Sequence, residues 1–450
     1  MSAPDDPQVT IAELDQQRKA LSREIGQRKA RGEPVTDLLE RSRRTSAQIA
    51  ALSGGRPRVR PEARPEGQET TTDVLSTAGA VVALRDEWRE LLDRCLPDSL
   101  YLTWEWMASW YETYEDEGAI RCLTVRDDGG HLLGVVPLFL SERHDRKLSR
   151  RQIGFASTYG HSWGSFLEVI SPPEAYGTVA AATAQYLRSI RAEWDCVKFL
   201  RVPGEAQSLG PLVSALASQQ WQVGVRPYMR CAVMALPEDP GDVVASIASP
   251  KLRQHCRAAE RRLQADYPRH TWQLCTTEEQ VVPQIERCMA LNVRRRAWLG
   301  RTSAFAQPQR RLCVQRALRR FWQAGWLRLL RLEVDGEPAG FKVYLVYRQR
   351  ASLLISAWAS EYARYELGHL LFAHALSLAA EEGARHADFL IGEEWYKKQY
   401  TRATRQLLDI VVWPNRLQLG RALLGEAWHR TVDRGAWLAS GRARPADAAD

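Results

Sequence analysis

Two stretches of this chain follow one plan, and that doubling constrains the fold more than any other feature. "AIRCLTVRDDGGHLLGVVPLFL" (119–140) alternates apolar and polar residues, turns at D-D-G-G and runs into a second apolar stretch. "WLRLLRLEVDGEPAGFKVYLVY" (326–347) repeats the plan around V-D-G-E. Alternation on both sides of such a turn predicts a β-hairpin. Each hairpin is followed by further strand material and then by a helix, over roughly 174–192 in the first copy and 368–382 in the second. A short apolar strand closes each copy, "CVKFLRV" (196–202) and "ADFLI" (387–391). A repeat this long predicts two duplicated α/β domains rather than a solenoid. We place them at 74–236 and 237–415.

Residues 9–53 differ in character. They lack aromatics and are rich in helix formers. Ile11, Leu14, Leu21 and Ile25 keep a three-to-four spacing, with Arg18 in one seam position, and Leu38, Ile49 and Leu52 resume it after the Gly32-Glu33-Pro34 turn. This predicts an antiparallel helical hairpin, each arm roughly 30 Å long; a dimerising coiled coil explains the same pattern. Residues 54–73, rich in Pro, Gly and charge, read as a flexible linker. Residues 416–450 read as a helical, Arg-rich tail with a disordered end.

The chain has 450 residues, with 45% hydrophobic and 26% charged, enough for two to three domains with a real core. Its eight cysteines form no C-x-x-C pair and no Cys/His cluster, which argues against zinc and against a disulfide framework. The opening "MSAPDDPQ" lacks the apolar stretch of a signal peptide, and nowhere do about 18 apolar residues run together. The expected location is the cytoplasm. A net charge of +8 makes acidic partners such as nucleotides or RNA plausible. His369, His374 and His386 have no Ser or Cys at a recognisable spacing, so a hydrolase triad is not expected.

Four stretches of the second copy carry a resemblance. "SPKLRQHCRAAERRL" (249–263) opens a basic helix with S-x-K-x-R. "MALNVRRRAWLGRTSAF" (289–305) precedes the hairpin. "YARYELGHLLFAHAL" (362–376) leads from strand to helix, and "DFLIGEEWYKKQY" (388–400) ends with Y-K. In the first copy "YLTWEWMASWYETY" (101–114) has the aromatic W-x-W-x-x-x-W pattern. In this order and at these spacings they resemble the tandem-GNAT acyltransferases, in particular Fem-type peptidyl transferases and acetyltransferases linked to cellulose and exopolysaccharide synthesis. The resemblance implies a mixed sheet whose strands splay apart to admit an acyl donor. It also implies attack of an acceptor, usually an amine, on an activated acyl carbonyl. The N-terminal segment "SREIGQRKARGEPVTDLLERSRRTSAQIAAL" resembles the tRNA-binding arm of seryl-tRNA synthetases, although Fem-type arms are inserted internally. The fold expected is therefore α/β, two tandem GNAT-like mixed-sheet domains behind an antiparallel coiled-coil hairpin.

Acyl transfer needs a deprotonated acceptor, a stabilised oxyanion and a proton for the leaving group. In the "DFLIGEEWYKKQY" stretch Asp388 starts the strand, and the residues after it offer Glu393 or Glu394 as proton acceptor, Tyr396 or Tyr400 as proton donor, and Lys397 for the oxyanion. Asp388 and Lys397 fall on the resemblance's motif, whereas Glu394 and Lys398 suit a solvated loop. The donor's pyrophosphate usually lies on Q/R-x-x-G-x-G/A at a helix start. Here "YELGHL" keeps Gly368 but has Tyr365 and Leu370 at the outer positions, with Arg364 one residue early and His369 after the glycine. The bulk of Leu370 is expected to hinder phosphate approach.

Arg253, Arg257 and Arg261 share one helix face, with Lys251 ahead of them, and Arg294, Arg295, Arg296 and Arg301 form a second cluster. Either can hold acceptor or donor phosphates, and either can be a solvated basic face. Trp104 can line a substrate wall, whereas Trp106 suits the core. Two donors are open: acyl-CoA, acetyl-CoA above all, passing its acyl group to an amine or hydroxyl of a small or sugar/nucleotide-linked acceptor; or aminoacyl-tRNA, forming an amide with tRNA held by the arm. No metal is required. A non-catalytic binding protein that kept the fold, and a homodimer through the hairpin, remain the alternatives in other classes.

Overall fold

The computed structural model describes residues 70–145, 148–159 and 164–420, together with Ala20 and Glu24. The chain divides into two compact units, Met1–Arg64 and Pro65–Asp450, and every element named below belongs to the second. The arm expected over 9–53, most of the linker and the tail after residue 420 lie outside the described residues.

Twelve strands form one sheet: β1 (Thr71–Leu75), β2 (Ala119–Arg126), β3 (Leu132–Asp145), β4 (Leu148–Phe155), β5 (Cys196–Pro203), β6 (Gln222–Ala235), β7 (Thr271–Leu274), β8 (Leu327–Val334), β9 (Glu337–Tyr347), β10 (Arg350–Trp358), β11 (His386–Asp388) and β12 (Thr404–Trp413). The helices that matter here are α1 (Trp104–Tyr114), α2 (Tyr176–Ser189), α3 (Pro250–Asp266), α4 (Glu278–Trp298), α5 (Pro308–Gln323), α6 (Leu367–Glu381) and the short α7 (Lys397–Tyr400). The sheet begins at Thr71, slightly ahead of the expected start at 74, because β1 pairs antiparallel with β2 along its whole length.

The strand order is β1-β2-β3-β4-β5-β12-β6-β11-β10-β9-β8-β7. From either end it presents five strands of one half in chain order, then the last strand of the other half. The halves therefore exchange their final strands. β12 lies against β5, β6 lies against β11, and β6 and β12 pair with each other from Thr404↔Ala232 to Trp413↔Gln222. The duplication holds at the level of position: the hairpins β2–β3 and β8–β9 are equivalent, as are the helices α2 and α6. The boundary at 236/237 divides the chain order but not the sheet.

Local chemistry explains the hairpins. Asp335 and Gly336 both have positive φ, 52° and 86°, as a two-residue turn with the right twist requires. At the first turn Gly130 has φ 81° and donates to the Asp127 carbonyl at 3.0 Å. Helix starts are capped as well: Ser249 Oγ accepts from Leu252 N at 3.2 Å with Pro250 in the first turn of α3, and Thr277 caps α4. The aromatic helix α1 is buried on nearly every side, and Trp106 is a core residue that donates to Ser157 Oγ at 2.6 Å. It packs on α5 of the other half, where Arg320 meets the Glu112 carboxylate at 2.7 Å. All eight cysteines are buried thiols, and among the described residues no helix is long and apolar enough to cross a membrane.

Candidate active site

β10 and β11 run parallel for three residues, Arg350↔His386, Ala351↔Ala387 and Ser352↔Asp388, and then part. β10 continues to Trp358, but the strand expected over 387–391 ends at Asp388. Asp388 itself turns the chain. Its Oδ1 accepts the Leu390 N–H at 2.7 Å, and Leu390 takes φ 59°, an uncommon conformation for a branched side chain. The result is a wedge, with β10 as one wall and the loop 389–400 as the other.

At the base of the wedge Asp388 is 2% exposed and faces Arg405 at 3.5 Å and Arg350 at 3.8 Å. Arg350 and Arg405 also bind Asp98 of the first half. Burial raises the Asp388 pKa and the two guanidinium groups oppose the rise. Asp388 therefore sets the loop geometry and joins the halves; it is not presented at a cleft mouth.

Lys397, the sequence's candidate for the oxyanion, is 3% exposed. Its Nζ donates to the Ile391 carbonyl at 2.9 Å and lies 2.9 Å from Glu394 Oε2, so it closes the loop on itself. Gly392 is required there, since a Cβ would come within 2.1 Å of Glu394 Oε2 and φ is 123°. Glu393 is exposed and accepts the Arg230 N–H of β6 at 2.9 Å. Tyr396 packs edge-on to Phe372 with centroids 5.7 Å apart, and burial raises its pKa above the usual phenol range while Arg296 opposes this. Tyr400 is fully buried, with its hydroxyl 2.8 Å from His369 Nδ1. Burial lowers the His369 pKa.

The other wall holds residues that the sequence analysis missed. Lys342 on β9 is 1% exposed; its Nζ is 2.9 Å from Ser356 Oγ on β10 and 3.7 Å from the Phe372 ring centroid. Burial, and secondarily the charge of Lys397, push its pKa well down. Ser356 is half-buried, and its carbonyl accepts from Asn292 Nδ2 of α4 at 3.1 Å. Asn292 is in turn fixed by Ser303 Oγ at 2.8 Å. The signal was present in "GFKVYLV", because a lysine inside a strand apolar on both faces has to be buried.

The start of α6 departs from the expectation too. Leu370 points into the core at 2% exposure and does not obstruct the helix start. Trp358 does: a Cβ on Gly368 would lie 2.7 Å from its Cη2, so the glycine makes room for an indole. The Arg295 guanidinium stacks on that indole at 3.5 Å. Glu366, at φ 51°, precedes the helix and meets His255 at 3.5 Å. Arg364 points to Asp266 at 3.0 Å and to the Tyr365 hydroxyl.

On α3, Lys251 and Arg257 are exposed, whereas Arg253 donates to the Ile247 carbonyl at 2.6 Å and braces its own helix start. The segment before α3 docks on α7 through Ser249 N to Gln399 O at 2.9 Å. Arg296 is exposed near Tyr396. Trp104 is 7% exposed, donates to the Val81 carbonyl at 3.2 Å and carries Arg320 on its face at 5.1 Å. It is a core residue rather than the wall of an open cleft. The wedge thus gathers Lys397, Tyr396, His369 and Arg296 and leaves Trp104 and Arg364 outside.

Residues 250–398 match the family described as the acetyltransferase (GNAT) domain. No curated protein matches the chain. Among solved structures it is similar to FemX, with 12% identity, 79% of this chain and 99% of that one covered, and a TM-score of 0.51. It is also similar to a conserved protein of unknown function from Bacteroides thetaiotaomicron, with 13% identity, 74% and 97% covered, and a TM-score of 0.47. A tandem GNAT protein from the clavulanic acid biosynthesis pathway gives 15% identity, 76% and 98% covered, and a TM-score of 0.41. At these identities the likeness is one of fold: mixed α/β, with a large mixed sheet of GNAT type.

Proposed function

We propose that the chain is an acyltransferase that moves an acyl group from acyl-CoA to an amine or hydroxyl of a small or sugar-linked acceptor, with the reaction in the wedge between β10 and β11. One observation carries the reading: the parallel pair that opens after Ser352 and Asp388 lies inside the segment matching the GNAT domain. The acyl end enters the wedge, and as the oxyanion forms the Lys397 ammonium exchanges its bond to the Ile391 carbonyl or Glu394 for the developing charge. Burial keeps Tyr396 protonated, so it serves as a hydrogen-bond donor toward the acyl donor. Glu393, exposed at the rim, takes the acceptor's proton. Arg296 and Lys251 attract the acceptor's or donor's phosphates.

A second reading has aminoacyl-tRNA as donor. The observation favouring it is the Trp358 indole on Gly368, which occupies the place where a CoA pyrophosphate approaches the helix start. Acyl-CoA binding requires that indole to move. The experiment measures thiol release from acetyl-CoA with a panel of amines and aminosugars, and in parallel amide formation from charged tRNA. Thiol release that depends on an acceptor supports the first reading. Transfer only from charged tRNA, lost on removing residues 1–53, supports the second. Neither activity, with binding of either donor intact, identifies a non-catalytic binding protein.

A further inference from the structure

The Ser356–Lys342 contact has no part in a direct transfer, and it has the composition of a nucleophile with its base. We propose that Ser356 and Lys342 form a serine–lysine dyad that carries the acyl group covalently between donor and acceptor. This deepens the acyltransferase reading and rests on it for the identity of the wedge.

The geometry supplies the nucleophile and its base. A serine nucleophile needs an accessible hydroxyl, and Ser356 is half-buried on the stretch of β10 that has lost β11 as a neighbour. It also needs a base within hydrogen-bond reach, and Lys342 Nζ is 2.9 Å from Oγ. The base has to be an amine rather than an ammonium. Lys342 is buried, and its side chain meets the Ser356 hydroxyl and the Phe372 ring. Desolvation and the charge of Lys397 both favour the neutral form. In that form Nζ accepts the hydroxyl proton. The register Ser356↔Lys342 across β9 and β10 fixes the two side chains on one face of the sheet. Asn292, held by Ser303, ties the Ser356 backbone to α4.

In the first step the Ser356 Oγ–carbonyl bond forms and the bond to the leaving sulfur or oxygen breaks. The hydroxyl proton passes to Lys342 Nζ and from there to the leaving group. In the second step the acceptor attacks the acyl-serine, the ester bond breaks, and the acceptor's proton, which Glu393 takes in a direct transfer, instead returns through Lys342 to Ser356 Oγ. No oxidant, reductant or metal enters either step.

The test uses the full-length protein and p-nitrophenyl acetate, an activated ester that needs no CoA site. The expected result is a stoichiometric burst of p-nitrophenolate and an acetyl adduct that peptide mass spectrometry locates on Ser356. Ser356→Ala removes the adduct, and Lys342→Met, which leaves the nucleophile in place, slows the burst by roughly a hundredfold or more. Absence of a burst, an adduct confined to other residues, or a burst unchanged in Lys342→Met overturns the dyad. The two readings fail separately. Acylation of Ser356 by the ester but not by acetyl-CoA leaves the dyad standing and removes the CoA reading. Acceptor-dependent transfer from acetyl-CoA at full rate in Ser356→Ala removes the dyad and leaves the acyltransferase.

Discussion

In the first half β4 and β5 part after Gly154↔Lys198, and the side chains that follow, Phe155 and Phe199, close on each other with ring centroids 4.7 Å apart. In the second half β10 and β11 part after Ser352↔Asp388, and Phe389, at the position equivalent to Phe199, turns away to stack on Phe372 at 5.7 Å. The same opening is sealed by an aromatic pair in one half and lined by Ser356, Lys342 and Lys397 in the other. Each half also buries an ordinarily charged residue against a serine. In the first it is Glu168, which accepts from Ser208 Oγ at 2.7 Å; in the second it is Lys342. The difference teaches that duplication preserved the backbone device, a parallel pair that splays, while the side chains assign packing to one copy and polar chemistry to the other.

The largest expected effect breaks this comparison at Lys342. If the second wedge is the reactive one, Lys342→Met lowers the transfer rate by roughly a hundredfold to ten-thousandfold, the range for loss of a general base. It also raises the melting temperature, because an apolar side chain replaces a buried amine. A rate loss with lower stability instead makes Lys342 a structural residue. The matching change in the first wedge, Phe199→Ala, costs about 3–5 kcal/mol by the cavity it leaves. Transfer per folded molecule should stay unchanged, as measured by chemical denaturation and steady-state rates side by side. A first-wedge variant that is stable but inactive would place chemistry in both halves.

Much of this arrangement was legible in the sequence, because it depends on local chemistry. The turns at Asp127–Gly130 and Asp335–Gly336 demand positive φ, the hairpins alternate, and the helices α2 and α6 fall within a few residues of expectation. The strand exchange was not legible: whether β12 joins β5 or β11 depends on pairing across some 200 residues, which no local period encodes. In the site, Gly368 stood out through its motif, yet the reason for a glycine is the Trp358 ring, ten residues earlier on another element. Asp388 stood out as the charge that starts a strand and Lys397 as one that follows it. Burial drew them inward, because a loop that turns at Leu390 needs its carbonyls and N–H groups satisfied from within. Lys342 was legible as a lysine inside an apolar strand, but only the register brings Ser356 of the adjacent strand against it.

A smaller effect sharpens the contrast between the two buried ionisable groups. Burial pushes the Glu168 carboxyl up to about 7, with the Ser208 hydrogen bond opposing. Its folded-state value lies above the unfolded one, so its contribution to stability is fully present below the unfolded carboxylate range. That contribution is lost as pH rises toward 7. Glu168→Gln keeps the hydrogen bond to Ser208 and removes the ionisation. It should leave stability near pH 4 almost unchanged and raise it at pH 8 by about 2–3 kcal/mol. Thermal melts of both proteins across that range decide it; parallel pH profiles would mean that Glu168 does not ionise differently on folding.

The smallest effect comes from a pair of glycines at matching places. Gly177 and Gly368 are each the second residue of their helix, α2 and α6. Around Gly177 no atom lies within 4 Å of an added Cβ, whereas at Gly368 the Trp358 indole is 2.7 Å away, and neither glycine has a positive φ. Gly177→Ala therefore gains only the reduced backbone freedom of the unfolded chain, about 0.5 kcal/mol of stability. Gly368→Ala has to displace the indole and the Arg295 guanidinium stacked on it, at a cost of about 1–3 kcal/mol. The double variant Gly368→Ala with Trp358→Ala tests whether the ring is the cause. If it is, the alanine at 368 loses most of its penalty in that background, and the double-mutant coupling energy is large. If the penalty persists, the glycine answers to the backbone at the helix start rather than to the ring. Acetyl-CoA affinity measured on the Trp358→Ala single variant then shows whether an uncovered helix start accepts a pyrophosphate: tighter binding keeps acyl-CoA as donor, and unchanged binding moves the donor toward charged tRNA.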